Sequence, residues 1–386
     1  MRVLCVDQTG KLGGAELSLL DLAVRWGGHC GVVLFEDGVF RERLEAGGVP
    51  VEVMPLGGTV AGHKKEGGLL GQLRVGPAVL GLARRLAEKA KGFDVLYANT
   101  QKAFVVSAVA GWWAKRPVVW HLRDMLTAGH FSGANRRAAV GLANRLAAKV
   151  ICNSQATRDA FVAAGGRTDK AVVVHNGIDA QPFEGLDAAA AGVRTGLVAG
   201  DEFVVGVFGR LTPWKGQDVL IDAVQAMTGG PGKRVSAWIV GEALFTDEDR
   251  AYADRLRARA GPSVRFLGFR GDVPAVMRAC DAVVHCSVEP EPFGRVIVEA
   301  MLAGRPVVAS GAGGAAEIVK DGVTGMLVEP GDVSALAAAL RRLRDESGLA
   351  ARLAAAGRSE ALELFSIDRV AAGVDAVLES VFTPRD

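Results

Sequence analysis

Short apolar runs alternate with longer amphipathic stretches along the whole chain. Residues 2–6 (RVLCV) read as a strand. Residues 15–26 (AELSLLDLAVRW) read as a helix, because the apolar positions there recur at a period near 3.6. Further segments follow at 30–35 (CGVVLF), 40–46 and 50–54 (PVEVM). Pro77 suits a first helical position, so a helix is predicted over 77–90. Further strands are predicted at 93–98, 117–121, 149–152 and 171–174. The second half repeats the pattern, with strands at 203–208, 235–240, 264–267, 282–285, 306–309 and 325–328. Continuous apolar strands between helices predict parallel sheets covered on both faces, hence an α/β fold. Residues 180–202, rich in Ala, Gly and Asp and without strand character, are expected to link two domains. A last helix, about 366–382, opens at a plausible N-cap, Ser366.

Composition changes this picture little. At 386 residues and 49% hydrophobic content the chain can supply a core for each of two or three domains. Cys5, Cys30, Cys152, Cys280 and Cys286 form no CxxC pair; read as reduced, buried thiols, they point to the cytoplasm. No signal peptide is expected, since an apolar run starts at Val3, and no run approaches the ~20 residues of a spanning helix.

Charge adds an asymmetry beneath the net +2: residues 1–183 carry 23 Lys+Arg against 15 Asp+Glu, and the remainder 22 against 28. In the predicted helix 77–90, Val79, Ala83, Leu86 and Ala90 share one face, with Arg84, Arg85 and Lys89 largely off it. With Lys64, Lys65, Arg74 and Lys91 nearby, this suggests peripheral docking on an anionic membrane. The competing account is that the apolar face packs on the first sheet. The glycine-rich stretch 57–72 is expected to be a loop. Nucleic acid is not an expected partner.

The candidate chemistry gathers where strands end. In 289–317 (EPEPFGRVIVEAMLAGRPVVASGAGGAAEIV), Glu291 precedes a helix predicted from Gly294, and Glu299 lies about two turns along it. Carboxylates placed there can accept hydrogen bonds from sugar hydroxyls, beside backbone N–H groups suited to anions. Arg210 and Lys215, in GRLTPWKG, follow strand 203–208, where two cations suit a diphosphate. Gly13 and Gly14 lie between the first strand and the first helix, where the backbone can approach a ligand closely. His121 ends a strand at the edge where α/β proteins bind ligands. Each signal alone has a plain alternative: a capped helix, a solvated turn, a tight turn, a structural histidine.

Together and in order, GRLTPWKGQDVLIDA, the Glu-x7-Glu segment with PFG, AGRPVVASGAGGAAEIV and DGVTGMLVEPGD resemble the retaining family 4 glycosyltransferases of the GT-B fold. The match is dense over about 203–335. It is thinner at Gly13-Gly14, His121, Asn153-Ser154 and Asn176-Gly177-Ile178-Asp179.

The resemblance implies two Rossmann-like domains facing across a cleft. These are an acceptor-side domain at 1–183 and a sugar-nucleotide domain at 184–365, with a helix at 366–386 returning to the first. It implies that Arg210 and Lys215 hold the donor diphosphate, with Gly13 and Gly14 closing over it. Glu291 and the backbone at Phe293, Gly294 and Arg295 would hold the donor sugar, and Glu299 the ribose. His121 would reach the sugar near the scissile bond, Phe269 would lie near the base, and Glu317 near the donor. The implied reaction is front-face, retaining transfer to an acceptor hydroxyl, with the diphosphate as base. The acceptor would be a saccharide or lipid-linked saccharide, in glycan, exopolysaccharide or glycolipid synthesis. No cofactor or metal is implied, and a UDP-sugar is expected ahead of a GDP-sugar, uridine donors being commoner.

Two decoys remain. Asp247-x-Asp249 resembles a metal-binding DxD but opens a polar helix, where acids suit the dipole. Gly311-x-Gly313-x-x-Ala316 matches a loose dinucleotide fingerprint, which keeps an NAD-dependent oxidoreductase in view; a sugar-nucleotide epimerase of the same fold is a closer rival.

Overall fold

A computed structural model of the chain describes residues 1–55, 69–127, 133–198, 200–228, 232–244 and 246–382. Within these, thirteen strands form two separate parallel sheets. The chain divides into two compact units, Met1–Gly177 with Ile367–Asp386, and Ile178–Ser366.

The first unit holds β1 (Val3–Asp7), β2 (Cys30–Leu34), β3 (Val51–Val53), β4 (Val95–Ala98), β5 (Val118–Leu122), β6 (Lys149–Cys152) and β7 (Ala171–Val173). Their spatial order is β3-β2-β1-β4-β5-β6-β7. Alternate residues of β1 supply opposite cores, as a strand's period of two requires. Leu4 and Val6 pack with Leu86, Phe104, Trp120 and Phe161. Val3 and Cys5 pack with Leu19, Leu22 and Phe40. That second core is completed by the C-terminal helix Ile367–Val381, through Val370, Val374 and Leu378. Two polar ties fix this helix: Trp26 Nε1 donates to Asp375 Oδ1 at 2.7 Å, and Arg25 pairs with Asp368 at 2.7 Å. The expected return of the chain to its first domain is therefore observed.

The second unit holds β8 (Glu202–Phe208), β9 (Arg234–Val240), β10 (Val264–Gly268), β11 (Ala282–His285), β12 (Val307–Ser310) and β13 (Met326–Val328), in the order β10-β9-β8-β11-β12-β13. Its two cores follow the same alternation. Val205 and Val207 meet Leu220, Val224 and Leu340, whereas Val204 meets Val276, Ile297 and Met301. In both sheets the winding reverses beside the first strand, between β1 and β4 and between β8 and β11. Such reversals open a crevice at the carboxyl ends of the strands.

Three expectations change. Residues 180–202 contain the helix Asp187–Leu197, whose Arg194 donates to the carbonyls of Ala279 and Glu202 and pairs with Asp281 at 2.9 Å; the segment is part of the second unit, not a bare linker. Pro77 does not open its helix, which runs Leu69–Ala90 with the proline inside. An interior proline removes one backbone hydrogen bond without ending the helix here. In that helix Ala83, Leu86 and Ala90 are buried in the first core, with Val79 packed against it. The apolar face proposed to meet a membrane is thus occupied, and docking through it is corrected; Arg84 and Arg85 are exposed. Of the loop expected at 57–72, residues 57–68, with Lys64 and Lys65, lie outside the described residues. Among the described residues no helix is long and apolar enough to cross a membrane, and all five cysteines are free and buried.

If the C-terminal helix completes the first core, Leu378→Ala should lower the unfolding free energy by about 2–5 kcal/mol, the cost of a buried leucine cavity. Asp375→Ala should cost about 1 kcal/mol, the worth of a part-buried hydrogen bond. Denaturant titration of the two variants checks both; equal, negligible losses would contradict the packing described.

Candidate functional site

Three loops leaving the second sheet are locked together by close backbone approach. Gly216, at φ 64°, ends the loop after β8; a Cβ there would fall 2.1 Å from the Cys286 carbonyl oxygen. Gly313, at φ 62°, lies after β12, and a Cβ there would fall 2.3 Å from the Glu291 carbonyl oxygen. Only glycine permits both the left-handed backbone and this approach. Backbone bonds complete the seam: Val288 N–H donates to the Trp214 carbonyl at 2.9 Å, and Gly314 N–H to the Glu291 carbonyl at 2.8 Å.

The seam brings Lys215 and Glu291 into contact. The Glu291 carboxylate, 7% exposed, accepts from Lys215 Nζ, from Ser287 Oγ and, at 2.9 Å, from His285 Nε2. Burial alone would raise its pKa. The Lys215 ammonium and the His285 contact outweigh that and hold the carboxyl well below the usual range. Lys215 Nζ also lies 4.5 Å from the centroid of the Trp214 ring, and Arg210 Cζ lies 6.0 Å from it. The three side chains form one cationic and aromatic group.

Around this pair the other predicted residues fall as follows. Gly294, at φ 97°, precedes the helix Arg295–Leu302. Arg295 Nε donates to Glu299 Oε1 at 2.6 Å, the two side chains being 14% and 15% exposed. The Arg295 side chain therefore orients Glu299, a contact not expected from the sequence, which offered only the Arg295 backbone, to the donor sugar. Phe293 is buried edge-on against Phe365, ring centroids 5.7 Å apart. Glu317 is half-buried on the one-turn helix Ala315–Ile318. Phe269 is 66% exposed, its backbone N–H donating to Glu242 Oε1 at 3.2 Å.

The decoys have structural explanations. Gly313 and Gly314 serve the contact with the 291–293 loop, and the helix after them has four residues, not a dinucleotide-fingerprint helix. Asp249 and Thr246 form a capping box at the helix Asp247–Arg259, and Asp247 pairs with Arg250.

The first unit carries its own polar cluster at the carboxyl ends of β1, β4 and β5. Gly13 caps the helix Gly14–Trp26. The Glu16 carboxylate folds back beside Gly13, where a Cβ would fall 2.7 Å from its Oε2, so it stands at the anion-binding helix end. Asp7 accepts from Asn99 Nδ2 at 2.6 Å and from the Gln8 N–H at 2.6 Å. Burial pushes both acids up, Asp7 to about 6 and Glu16 to about 7, and for Glu16 the charge of Asp7 adds to the effect. His121 is 0% exposed on β5, its Nδ1 bonded to the Tyr97 hydroxyl. Burial first, and then Arg123, push the imidazole pKa well down.

Sequence reading missed His285, Ser287, Glu16, Asp7 and Asn99. For His285 a signal was present: it ends an apolar strand as His121 does. The others are common residues at strand or helix ends, with no spacing that marks them.

Known proteins resemble both units. Residues 13–177 match the family described as a glycosyl transferase 4-like domain, and residues 202–346 match glycosyl transferases group 1. The D-inositol 3-phosphate glycosyltransferase of Salinispora arenicola is 32% identical, over 95% of this chain and 87% of its own. The phosphatidyl-myo-inositol mannosyltransferase of Mycobacterium leprae is 32% identical, over 82% and 81%. The crystal structure of Anabaena HepE in complex with UDP-glucose has a TM-score of 0.88 and 42% identity, covering 98% of this chain and 100% of that one.

The raised pKa of Glu16 has a defined linkage. An acid whose folded pKa lies above its unfolded value favours the fold below the unfolded pKa, and that contribution is lost as pH rises through the folded one. Between about pH 4.5 and about pH 7 ionisation of Glu16 should therefore destabilise the fold. Glu16→Gln should raise Tm by about 2 °C or more near pH 8, and by less near pH 5. A thermal melt at the two pH values checks this; a loss near pH 8 would contradict it.

Proposed function

This chain belongs to the family 4 glycosyltransferases of the GT-B fold and takes its sugar from a sugar nucleotide, and from that premise we propose that its donor is UDP-glucose and that transfer retains the anomeric configuration. Family membership sets aside the epimerase and oxidoreductase readings. The UDP-glucose assignment is supported by the likeness to HepE, whose structure holds that molecule. The acceptor is a saccharide or a lipid, in keeping with relatives named for inositol phosphate and phosphatidyl-inositol.

The single observation behind the residue roles is the buried Lys215–Glu291 pair. In this reading the pair is a placeholder. An arriving diphosphate draws Lys215, with Arg210, to its oxygens and frees Glu291 to accept hydrogen bonds from the glucose hydroxyls. The backbone at Phe293, Gly294 and Arg295 completes the sugar site. Glu299, oriented by Arg295, takes the ribose hydroxyls. Phe269 stacks on or beside the base, and Glu317 lies at the rim. In the first unit, Gly13 and Gly14 offer backbone to the donor once Glu16 withdraws, and His121 offers an N–H to the sugar.

The bond from the anomeric carbon to the diphosphate breaks, and its electron pair stays on the diphosphate. The acceptor oxygen bonds to that carbon on the same face and passes its proton to a diphosphate oxygen. Arg210 and Lys215 stabilise the charge that develops there, the effect that commonly dominates such catalysis. No divalent metal is needed, because these two cations supply the positive charge at the leaving group once the diphosphate has drawn them to it.

Arg210→Ala or Lys215→Ala should each lower kcat/KM by about two orders of magnitude while the fold persists. Lys215→Ala should be the less stable of the two, since it leaves Glu291 buried and partly unanswered. Transfer assays with circular dichroism check this, and near-normal turnover in both variants would sink the assignment.

In a thermal-stabilisation panel, UDP-glucose should raise Tm more than GDP-mannose at equal concentration, with or without a chelator. A larger shift from the guanosine donor, or one that requires added magnesium or manganese, would overturn the donor or the metal-free reading respectively.

A further inference from the structure

We propose that Tyr97, held by Arg123, fixes His121 as a neutral imidazole with its proton on Nε2, and that this N–H is the donor the first unit presents to the sugar. The second half of the proposal rests on the function proposed above; the first does not.

Asp7 Oδ2 accepts from Asn99 Nδ2 at 2.6 Å. The same Nδ2 donates to the Ala15 carbonyl at 3.1 Å, so two acceptors on one side fix which end of the amide is nitrogen. Asn99 Oδ1 therefore faces the other way, and it accepts from Arg123 Nε at 2.5 Å.

Arg123 can only donate. It is buried, with Nη1 donating to Asn176 Oδ1 at 2.5 Å and Nη2 donating to the Tyr97 hydroxyl oxygen at 3.3 Å. A hydroxyl that accepts from an arginine turns its own hydrogen elsewhere. The other partner of the Tyr97 hydroxyl is His121 Nδ1. Burial pushes the Tyr97 pKa further up, so the phenol keeps its proton and donates it.

Nδ1 of His121 is then an acceptor, and a neutral imidazole has one N–H, which must sit on Nε2. The doubly protonated ring is disfavoured, because His121 is wholly buried and faces the Arg123 charge. Nε2 is buried and has no hydrogen-bond partner among the described residues. An unanswered buried donor is costly, and an arriving acceptor at Nε2 would remove that cost. A sugar hydroxyl or ring oxygen is such an acceptor.

Tyr97 and Arg123 are thus positioning residues. They touch neither substrate nor reacting atoms, and act by deciding which nitrogen of His121 carries the proton.

The test is nitrogen NMR on the full chain labelled with 15N-histidine. The His121 resonances are identified by their loss in His121→Asn. At neutral pH the natural chain should show His121 Nε2 as a protonated nitrogen and Nδ1 as a hydrogen-bonded, unprotonated one. Tyr97→Phe should shift the Nδ1 resonance and mix the two tautomers. It should also lower kcat/KM for UDP-glucose by about tenfold, with UDP affinity, which involves no sugar, unchanged.

A proton on Nδ1, or an imidazolium, at His121 in the natural chain would overturn the relay whether or not Tyr97→Phe folds. So would a His121 spectrum unaltered by Tyr97→Phe. A spectrum that changes as expected with transfer unimpaired would leave the relay standing and overturn the sugar contact.

Discussion

Glu291 carries a negative charge where water scarcely reaches, and the protein has to answer that charge with its own groups. Lys215 answers from the loop after β8, while His285 and Ser287 answer from the end of β11 and just beyond. His285 and Ser287 share its segment, and Lys215 reaches it because Gly216 lets the loop after β8 press against that segment. A side chain at Gly216 would part the two, and the carboxylate would lose its ammonium partner. The geometry of the second unit's site therefore follows from one requirement, that a buried anion be paired.

The first unit shows the opposite solution to the same burial. Asp7 and Glu16 are as deeply placed as Glu291, but what they bond is mainly neutral: the Asn99 amide and backbone N–H groups. Their pKa values rise where that of Glu291 falls. Hydrogen bonds from neutral groups offset part of the cost of desolvation, and a close ammonium offsets all of it. One edge of the protein thus holds a fixed charge, and the other holds acids whose charge depends on conditions.

Much of this was legible in the chain. The strands announce themselves because both faces of a parallel sheet are buried, which leaves continuous apolar runs such as VLCV at Val3–Val6. The loops after β8 and β12 and the start of the helix Arg295–Leu302 announce themselves through Gly216, Gly313 and Gly294, whose backbones need glycine. Arg210, Lys215, Glu291 and Glu299 were singled out by the motifs they sit in, and the fold brings Lys215 onto Glu291. What was not legible is pairing between distant segments. Nothing in the sequence says that Arg295 turns its side chain to Glu299, that Glu16 folds onto its own helix end, or that Asn99 joins Asp7 to Arg123. The helix Leu69–Ala90 misled in a different way: an amphipathic stripe looks alike whether it meets a membrane or a sheet, and here it meets the sheet.

The C-terminal helix has a consequence in time as well as in space. Val370, Val374 and Leu378 fill a core whose other members lie between Val3 and Ile151. During synthesis the first unit must wait, with that apolar face unfilled, while the whole second unit is made. The second unit, continuous from Ile178 to Ser366, needs nothing that comes later and can fold first. The half of the protein that leaves the ribosome first is therefore the half that finishes last.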